Sequence, residues 1–204
     1  METIFLARHA LAASNDAGLA SYAAPGDGLT PAGVAQARRL GDLLAREEIA
    51  LGVATELRRT RETLELALDG RDVPRVVVPE LNEIHFGNFD GGLLSAYREW
   101  AGSEAPILAA PGGGESRAQG AARYAAGLRL LLARPEASAL VIGHALGVRY
   151  IVDAVSGFVP AALMQEPVEH ARPYRLAAEE LEAAADLLHE WSLDPRFRDV
   201  SALP

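Results

Sequence analysis

Two short apolar runs, far apart in the chain, each end abruptly on a histidine, and this repeated ending constrains the fold more than any other feature. Ile4-Phe5-Leu6-Ala7 leads into Arg8-His9, and Ala139-Leu140-Val141-Ile142-Gly143 leads into His144. Short apolar runs bounded by polar residues read as buried strands. In α/β sheets such strands deliver functional side chains at their carboxyl ends, where ligands bind above the sheet. Parallel neighbouring strands here would bring both imidazoles out at one sheet edge.

The rest of the chain supplies strands and helices in alternation. Leu29-Thr30-Pro31-Ala32-Gly33 announces a helix, with Thr30 as cap, Pro31 at the first position, and Leu40, Leu43 and Leu44 as a stripe reaching about Glu47. Leu51 to Ala54 predicts a strand, and Thr55 to Leu68 the helix after it. Val76-Val77-Val78 predicts another strand within Val73 to Pro79. A short amphipathic helix is expected through Trp100, a long one from Glu115 or Ser116 to about Arg134, and one from about Leu146 to Ser156. Val168 to Trp191 reads as a last strand and an alanine- and glutamate-rich helix, with Asp194 to Pro204 an irregular tail. This alternation predicts an α/β three-layer sandwich, a mostly parallel sheet flanked by helices. No repeat or long linker divides the 204 residues, so one domain over 1–204 is expected.

Composition narrows the function classes. Half the residues are hydrophobic and 23% are charged, enough for a sizeable core. A net charge of −9 disfavours nucleic acid or an acidic membrane as the main partner, so an anionic ligand needs a local basic cluster. The absence of cysteine excludes disulfides and thiolate chemistry. The apolar start is too short for a signal peptide, and Ala139 to Met164 is interrupted by His144, Arg149 and Asp153, which argues against a membrane span. A soluble cytoplasmic protein is expected, with a homodimer left open.

Arg59, early in the helix after Thr55, joins Arg8 at the sheet edge that carries His9 and His144. Two histidines and two arginines above strand ends, with helix amino termini beside them, describe a pocket for a tetrahedral dianion. No aspartate cluster accompanies them to hold magnesium, so the cations themselves would neutralise a phosphoryl group. Taken singly these residues say little. His144 alone reads as a buried strand-end histidine, Arg59 as a surface residue between Arg58 and Arg61, and His85 as a loop or lid residue. His170 and His189 read as incidental, and Trp100, Phe86 and Phe89 as core or lid packing.

The ordered set resembles the histidine phosphatase superfamily, the phosphoglycerate mutase-like family. Its Arg-His-Gly signature corresponds to Arg8-His9-Ala10, and its phosphate-contacting asparagine to Asn15. Its Leu-Thr-x-x-Gly-x-x-Gln-Ala pattern is complete in Leu29 to Ala37, and its Ser-x-Leu-x-Arg-x-x-x-Thr segment appears as Thr55 to Thr63, with Arg59 as the second arginine. Leu81 to Gly91 resembles the segment carrying the family's acid, which falls on Glu83, although Asp90 and Glu115 are also available. Gly113-Gly114-Glu115-Ser116 and Val141-Ile142-Gly143-His144-Ala145 complete the series. The resemblance implies that His9 attacks phosphorus, that Arg8, Asn15, Arg59 and His144 hold the phosphoryl oxygens, and that Glu83 protonates the leaving group and then activates water. No cofactor or metal is implied.

Departures from the pattern are Ala10 and Ala145 for glycines, Leu11 for glutamate and Thr55 for serine. The interval from Glu83 to Ser116 is short, with Arg98 its only basic residue, where the mutases carry a longer basic insertion. Leu93-Leu94, Tyr97, Trp100 and Ile107-Leu108 suit a lid, about residues 84–116, over a small or partly apolar leaving group. The expectation is a metal-independent phosphomonoester hydrolase acting on a small phosphorylated metabolite. The alternatives are phosphoglycerate mutase-type transfer and a non-catalytic module that binds phosphorylated ligands.

Overall fold

The computed structural model describes residues 1–163 and 166–199; of the irregular tail expected over Asp194 to Pro204, residues 200–204 lie outside them. Five strands form one sheet in the order β3-β2-β4-β1-β5. They are β1 (Thr3–Arg8), β2 (Leu51–Ala54), β3 (Arg75–Val77), β4 (Ser138–Gly143) and β5 (Pro173–Ala177). β1 lies parallel to β4, β4 to β2 and β2 to β3, while β5 runs antiparallel to β1 along the edge. The helices are α1 (Ala13–Asp16), α2 (Pro31–Leu43), α3 (Arg58–Ala67), α4 (Leu94–Ser103), α5 (Arg117–Leu132), α6 (Ala145–Val155) and α7 (Ala178–Leu193).

Strand alternation divides the core in two. Ile4, Leu6, Val53 and Val141 face the layer of α5, α6 and α7, whereas Phe5, Ala7, Leu140 and Ile142 face α2 and α3. The three inner strands, β2, β4 and β1, are buried on both faces, which is why they read as apolar runs. Helix starts follow local chemistry. The Thr30 hydroxyl accepts from the Gly33 amide with Pro31 at the first position, and Ser116 and Gln119 form a reciprocal capping box at the start of α5.

Three boundaries differ from the sequence reading. The loop after His9 contains the single turn α1. α2 stops at Leu43 rather than near Glu47; of the leucine stripe Leu40 and Leu44 are buried, while Leu43 is exposed. β3 is a three-residue edge strand, since on an edge only Val78 of the β-branched run is buried.

Gly33 explains one rigid element of the pattern around Thr30. The Thr30 amide bonds the Leu11 carbonyl at 3.0 Å, pressing the start of α2 against the loop that follows His9. A Cβ on Gly33 would lie 2.1 Å from that carbonyl oxygen. Only glycine allows this approach.

Candidate active site

The first long helix after β1, α2, packs on one face of the sheet, and the helix after β4, α6, packs on the other. A crevice therefore opens between the carboxyl ends of these neighbouring strands. The pairing of Arg8 with Gly143 places His9 and His144 directly above it, and the His9 amide bonds the Gly143 carbonyl at 2.9 Å. Their ring centroids are 5.3 Å apart, tilted by 60°, and both residues are only 1% exposed.

Hydrogen bonds orient the two rings. His9 Nδ1 lies 2.8 Å from the Ala10 carbonyl, which can only accept, so the proton sits on Nδ1 and the lone pair on Nε2. That Nε2 accepts from Arg59 Nε at 3.2 Å, and Arg59 Nη2 lies 3.4 Å from His144 Nδ1. His144 Nε2 meets the Thr55 hydroxyl at 2.9 Å, and that hydroxyl meets Thr60 at 2.9 Å.

Arg59 faces the pocket because its neighbours are engaged elsewhere: Arg58 pairs with Glu62, and Arg61 donates to the Thr55 carbonyl. Arg59 Nη2 donates to the Ser21 carbonyl at 2.8 Å, and Nη1 stands 3.6 Å from Asp27. Arg8 Nη1 donates to the Val168 carbonyl at 2.8 Å, leaving its buried Nε without a partner among the described residues. Asn15 reaches the same space from α1. Arg8, Asn15, Arg59 and Glu83 share the wall of a cavity of about 310 Å³, with Ile84, Phe86, Tyr97 and Leu146 among its apolar and aromatic walls.

Glu83 is held from two sides. Arg123 on α5 donates to the carbonyls of Glu80, Asn82 and Glu83, while Asn82 exchanges hydrogen bonds with Glu56. The other two carboxylates considered from sequence are committed elsewhere: Glu115 forms two contacts to Arg123, at 2.8 and 2.6 Å, and Asp90 accepts the Tyr22 amide. His85 bonds the Gly113 carbonyl and packs 4.3 Å from the Tyr22 ring, so it ties the 84–116 segment together. Phe86 packs edge-on against Tyr97 at 4.7 Å, and Phe89 lies 5.5 Å from Trp100.

Burial sets the protonation states. It lowers His9 and His144 well below the ordinary histidine range, helped in both by the charge of Arg59, so both rings are neutral near pH 7. Burial raises the Glu83 carboxyl, while Arg59 and Arg8 pull the other way. Arg8 is lowered to about 10 by burial and by the nearby Arg98 and Arg59, and stays charged. Neutral imidazoles beside fixed guanidinium groups, with a protonatable carboxyl on the same cavity, can bind a phosphate ester, attack it and exchange a proton with its leaving oxygen. Among the described residues no group of three His, Asp or Glu side chains is placed to hold a metal ion.

The family model for the histidine phosphatase superfamily (branch 1) matches residues 4–194. The chain belongs to that superfamily. Over 87 residues it is 42% identical to the adenosylcobalamin/α-ribazole phosphatase of Salmonella typhimurium, a match that spans only 43% of either chain. It is 30% identical over 186 residues to 2,3-bisphosphoglycerate-dependent phosphoglycerate mutase 2 of Gloeobacter violaceus, covering 84% of this chain and 78% of that one. The structure superposes on the α-ribazole phosphatase of Shigella flexneri with a TM-score of 0.72 and 26% identity, covering 85% and 89% of the two chains. No helix among the described residues is long and apolar enough to cross a membrane.

Two departures from the superfamily pattern, Ala10 and Ala145, are accommodated without backbone strain. Ala171 is the one non-glycine residue with positive φ among those described, so neither Ala10 nor Ala145 needs a glycine conformation. Ala10 is fully buried, its amide donating to Thr63, and Ala145 lines the cavity at the first position of α6.

Several participants escaped the sequence reading. His170, read as incidental, lies with its ring 5.5 Å from that of His9, and its Nδ1 donates to the His9 carbonyl at 2.7 Å. Its segment bridges Arg8 beside the end of β1. Thr60, Asp27, Ser21 and Arg123 carry no motif of their own. The one available signal was chemical: a histidine just before the last strand, in a chain of only five.

Proposed function

We propose that this histidine phosphatase superfamily member is a metal-independent phosphomonoester hydrolase acting on a small phosphorylated metabolite through a phosphohistidine at His9. The observation that carries the reading is the presentation of the His9 Nε2 lone pair to Arg59, with His144 facing it across 5.3 Å. A phosphoryl group entering there exchanges the histidine–arginine contact for its own oxygens. Arg8, Arg59, Asn15 and His144 hold those oxygens, so the charge developing on phosphorus meets donors already in place. His9 Nε2 forms the bond to phosphorus as the ester oxygen departs with the proton of Glu83. Water then attacks the phosphohistidine, Glu83 takes its proton, and phosphate leaves. The raised Glu83 carboxyl suits the first half of this cycle. The 84–116 segment, which contributes Phe86, Leu94, Tyr97 and Arg98 to the cavity, serves as the lid.

A second reading, phosphoglycerate mutase-type transfer, is favoured by the mutase relative, whose match spans most of both chains. The two part at the phosphoenzyme, which a mutase shields from water. Rapid quench with a radiolabelled phosphate ester should trap an acid-labile phosphohistidine that is absent in His9→Ala. Steady-state release of phosphate, in excess chelator, should exceed any interconversion of phosphoglycerates. Labelling without turnover to phosphate would favour the mutase, and no labelling at all a binding module.

A further inference from the structure

The backbone beyond the end of β1 is tied down group by group. The Gly143 carbonyl takes the His9 amide, and the Ala10 amide donates to the Thr63 hydroxyl at 3.0 Å. That hydroxyl donates in turn to the Arg59 carbonyl at 2.7 Å. The Leu11 amide reaches Gln36 Oε1 at 2.8 Å, and the Ala10 carbonyl takes the Nδ1 proton of His9. The His9 carbonyl remains, and it accepts from His170 Nδ1 at 2.7 Å. The peptide between His9 and Ala10 is thereby held at both ends, by His170 on its oxygen and by Thr63 on its nitrogen.

The segment that supplies His170 is shaped around this contact. Ala171 donates its amide to the Arg8 carbonyl at 2.9 Å, so two consecutive residues grip two consecutive carbonyls. Just upstream, the Val168 carbonyl accepts from the Arg8 guanidinium. Ala171 stands at φ +53°, a left-handed conformation that a Cβ disfavours. Such strain persists where the surroundings over-determine it, and it gathers at functional sites. Burial and the Arg8 charge lower His170 to about 4, so near pH 7 its ring carries one proton, which the carbonyl partner fixes on Nδ1. His9 is buried, so loss of that donor leaves its carbonyl unmatched.

We propose that His170 is a positioning residue for the nucleophile: by holding the His9–Ala10 peptide it sets the Ala10 carbonyl against the His9 ring and keeps the ring proton on Nδ1. This rests on reading His9 as the group that attacks phosphorus. The rotations flanking the held peptide, ψ of His9 and φ of Ala10, decide where the Ala10 carbonyl lies relative to the ring. Arg59, donating to Nε2, favours the same tautomer until a phosphoryl group engages it. From then on the Ala10 carbonyl alone fixes the proton, and the lone pair on Nε2 depends on it.

Nitrogen-15 NMR of the full chain with labelled histidine reads the ring protons directly, with and without inorganic phosphate, and His9→Ala assigns the signal. The parent should show His9 protonated on Nδ1 in both states. His170→Phe and His170→Ala remove the donor, one keeping a ring in its place. In both, the phosphate-bound form should lose the Nδ1 proton to Nε2. The rapid-quench rate of phosphohistidine formation from phenyl phosphate should fall by about tenfold to 10²-fold. His170→Asn carries an amide donor at the same branch of the side chain, and should restore both readouts. A parent His9 bare at Nδ1 overturns the proposal without any variant having to fold. Variants with the parent's tautomer and rate, or losses that asparagine leaves unrepaired, overturn it as well. A tautomer shift in the variants with no phosphohistidine in the parent removes the hydrolase reading alone, whereas labelling at the parent's rate in His170→Phe removes the positioning role alone.

Discussion

Arg59 Nε lies 3.2 Å from His9 Nε2, so the atom proposed to attack phosphorus faces a guanidinium. The same guanidinium reaches His144 at 3.4 Å and stands 3.6 Å from Asp27. One side chain thus joins the two strand ends to the loop that precedes α2. Its forked shape matters as much as its charge, because three directions are engaged at once.

Arg59→Lys keeps a positive charge but loses the fork. A single ammonium cannot face both imidazoles and the Ser21 carbonyl, so kcat/KM should fall by about 10²-fold or more. Steady-state kinetics on an aryl phosphate reads this, and near-normal activity in Arg59→Lys would show that charge alone suffices.

Glu83→Gln removes the proposed proton donor and leaves Arg8, Asn15, Arg59 and His144 in place. Loss of rate should be largest for alkyl phosphates with basic leaving oxygens, about 10²–10⁴-fold, and small for aryl phosphates that depart unaided. Because burial raises the Glu83 carboxyl, the protonated acid persists above the ordinary glutamate range, and the alkaline fall in kcat/KM should move away in Glu83→Gln. Equal losses on both ester classes would assign the acid to another group.

Thr55→Val deletes the hydroxyl that meets His144 Nε2 at 2.9 Å and also breaks its link to Thr60. Both threonines are 0% exposed, so no water replaces the lost partner. A buried polar group left unmatched costs about 1–3 kcal/mol. Calorimetric Tm should drop by several degrees, and Thr55→Ser should recover most of it.

His170 makes stability depend on pH. Its folded-state value is lowered to about 4 by burial and by the Arg8 charge, against about 6.5 when unfolded. Its contribution is therefore complete above about pH 6.5 and is lost as the pH falls toward 4, because the unfolded chain takes up the proton first. Chemical denaturation across that window should show a shallower loss of stability in His170→Asn than in the parent chain. A parallel decline in both would clear His170 of the effect. The buried His9 and His144 act in the same direction and supply the slope that remains.

Gly87 packs against the loop before α5, within the 84–116 segment. It sits at φ +58°, and a Cβ there would lie 2.1 Å from the Pro111 carbonyl oxygen. Gly87→Ala meets both the strained conformation and the clash, and should destabilise the fold by about 2 kcal/mol or more. Hydrogen exchange should localise the loosening to the segment containing His85 and Glu115, whose hydrogen bond closes the same turn.

Much was legible before any coordinates, and the reason is that the signals were local. The strand runs ending on Arg8-His9 and Gly143-His144, the Thr30-Pro31 start of α2 and the Ser116 cap of α5 are each written in a few adjacent residues. The ordered motifs carried Arg59 and Glu83 as well, and both line the cavity with Arg8 and Asn15. His170 was not readable in this way. It stands 161 residues from His9 and reaches it through a bridge beside the end of β1. Arg117, at the first position of α5, belongs to no motif; its burial against Tyr150, away from any described carboxylate, follows from how α5 packs on α6.

By itself, then, the sequence determined which strands and helices form and which residue types end them, since propensity, capping and periodicity act over a few residues. Only the tertiary structure decided which of nineteen basic side chains lose their water and their counterions around one cavity. That depends on desolvation and on contacts between segments far apart in the chain, and no local pattern encodes either.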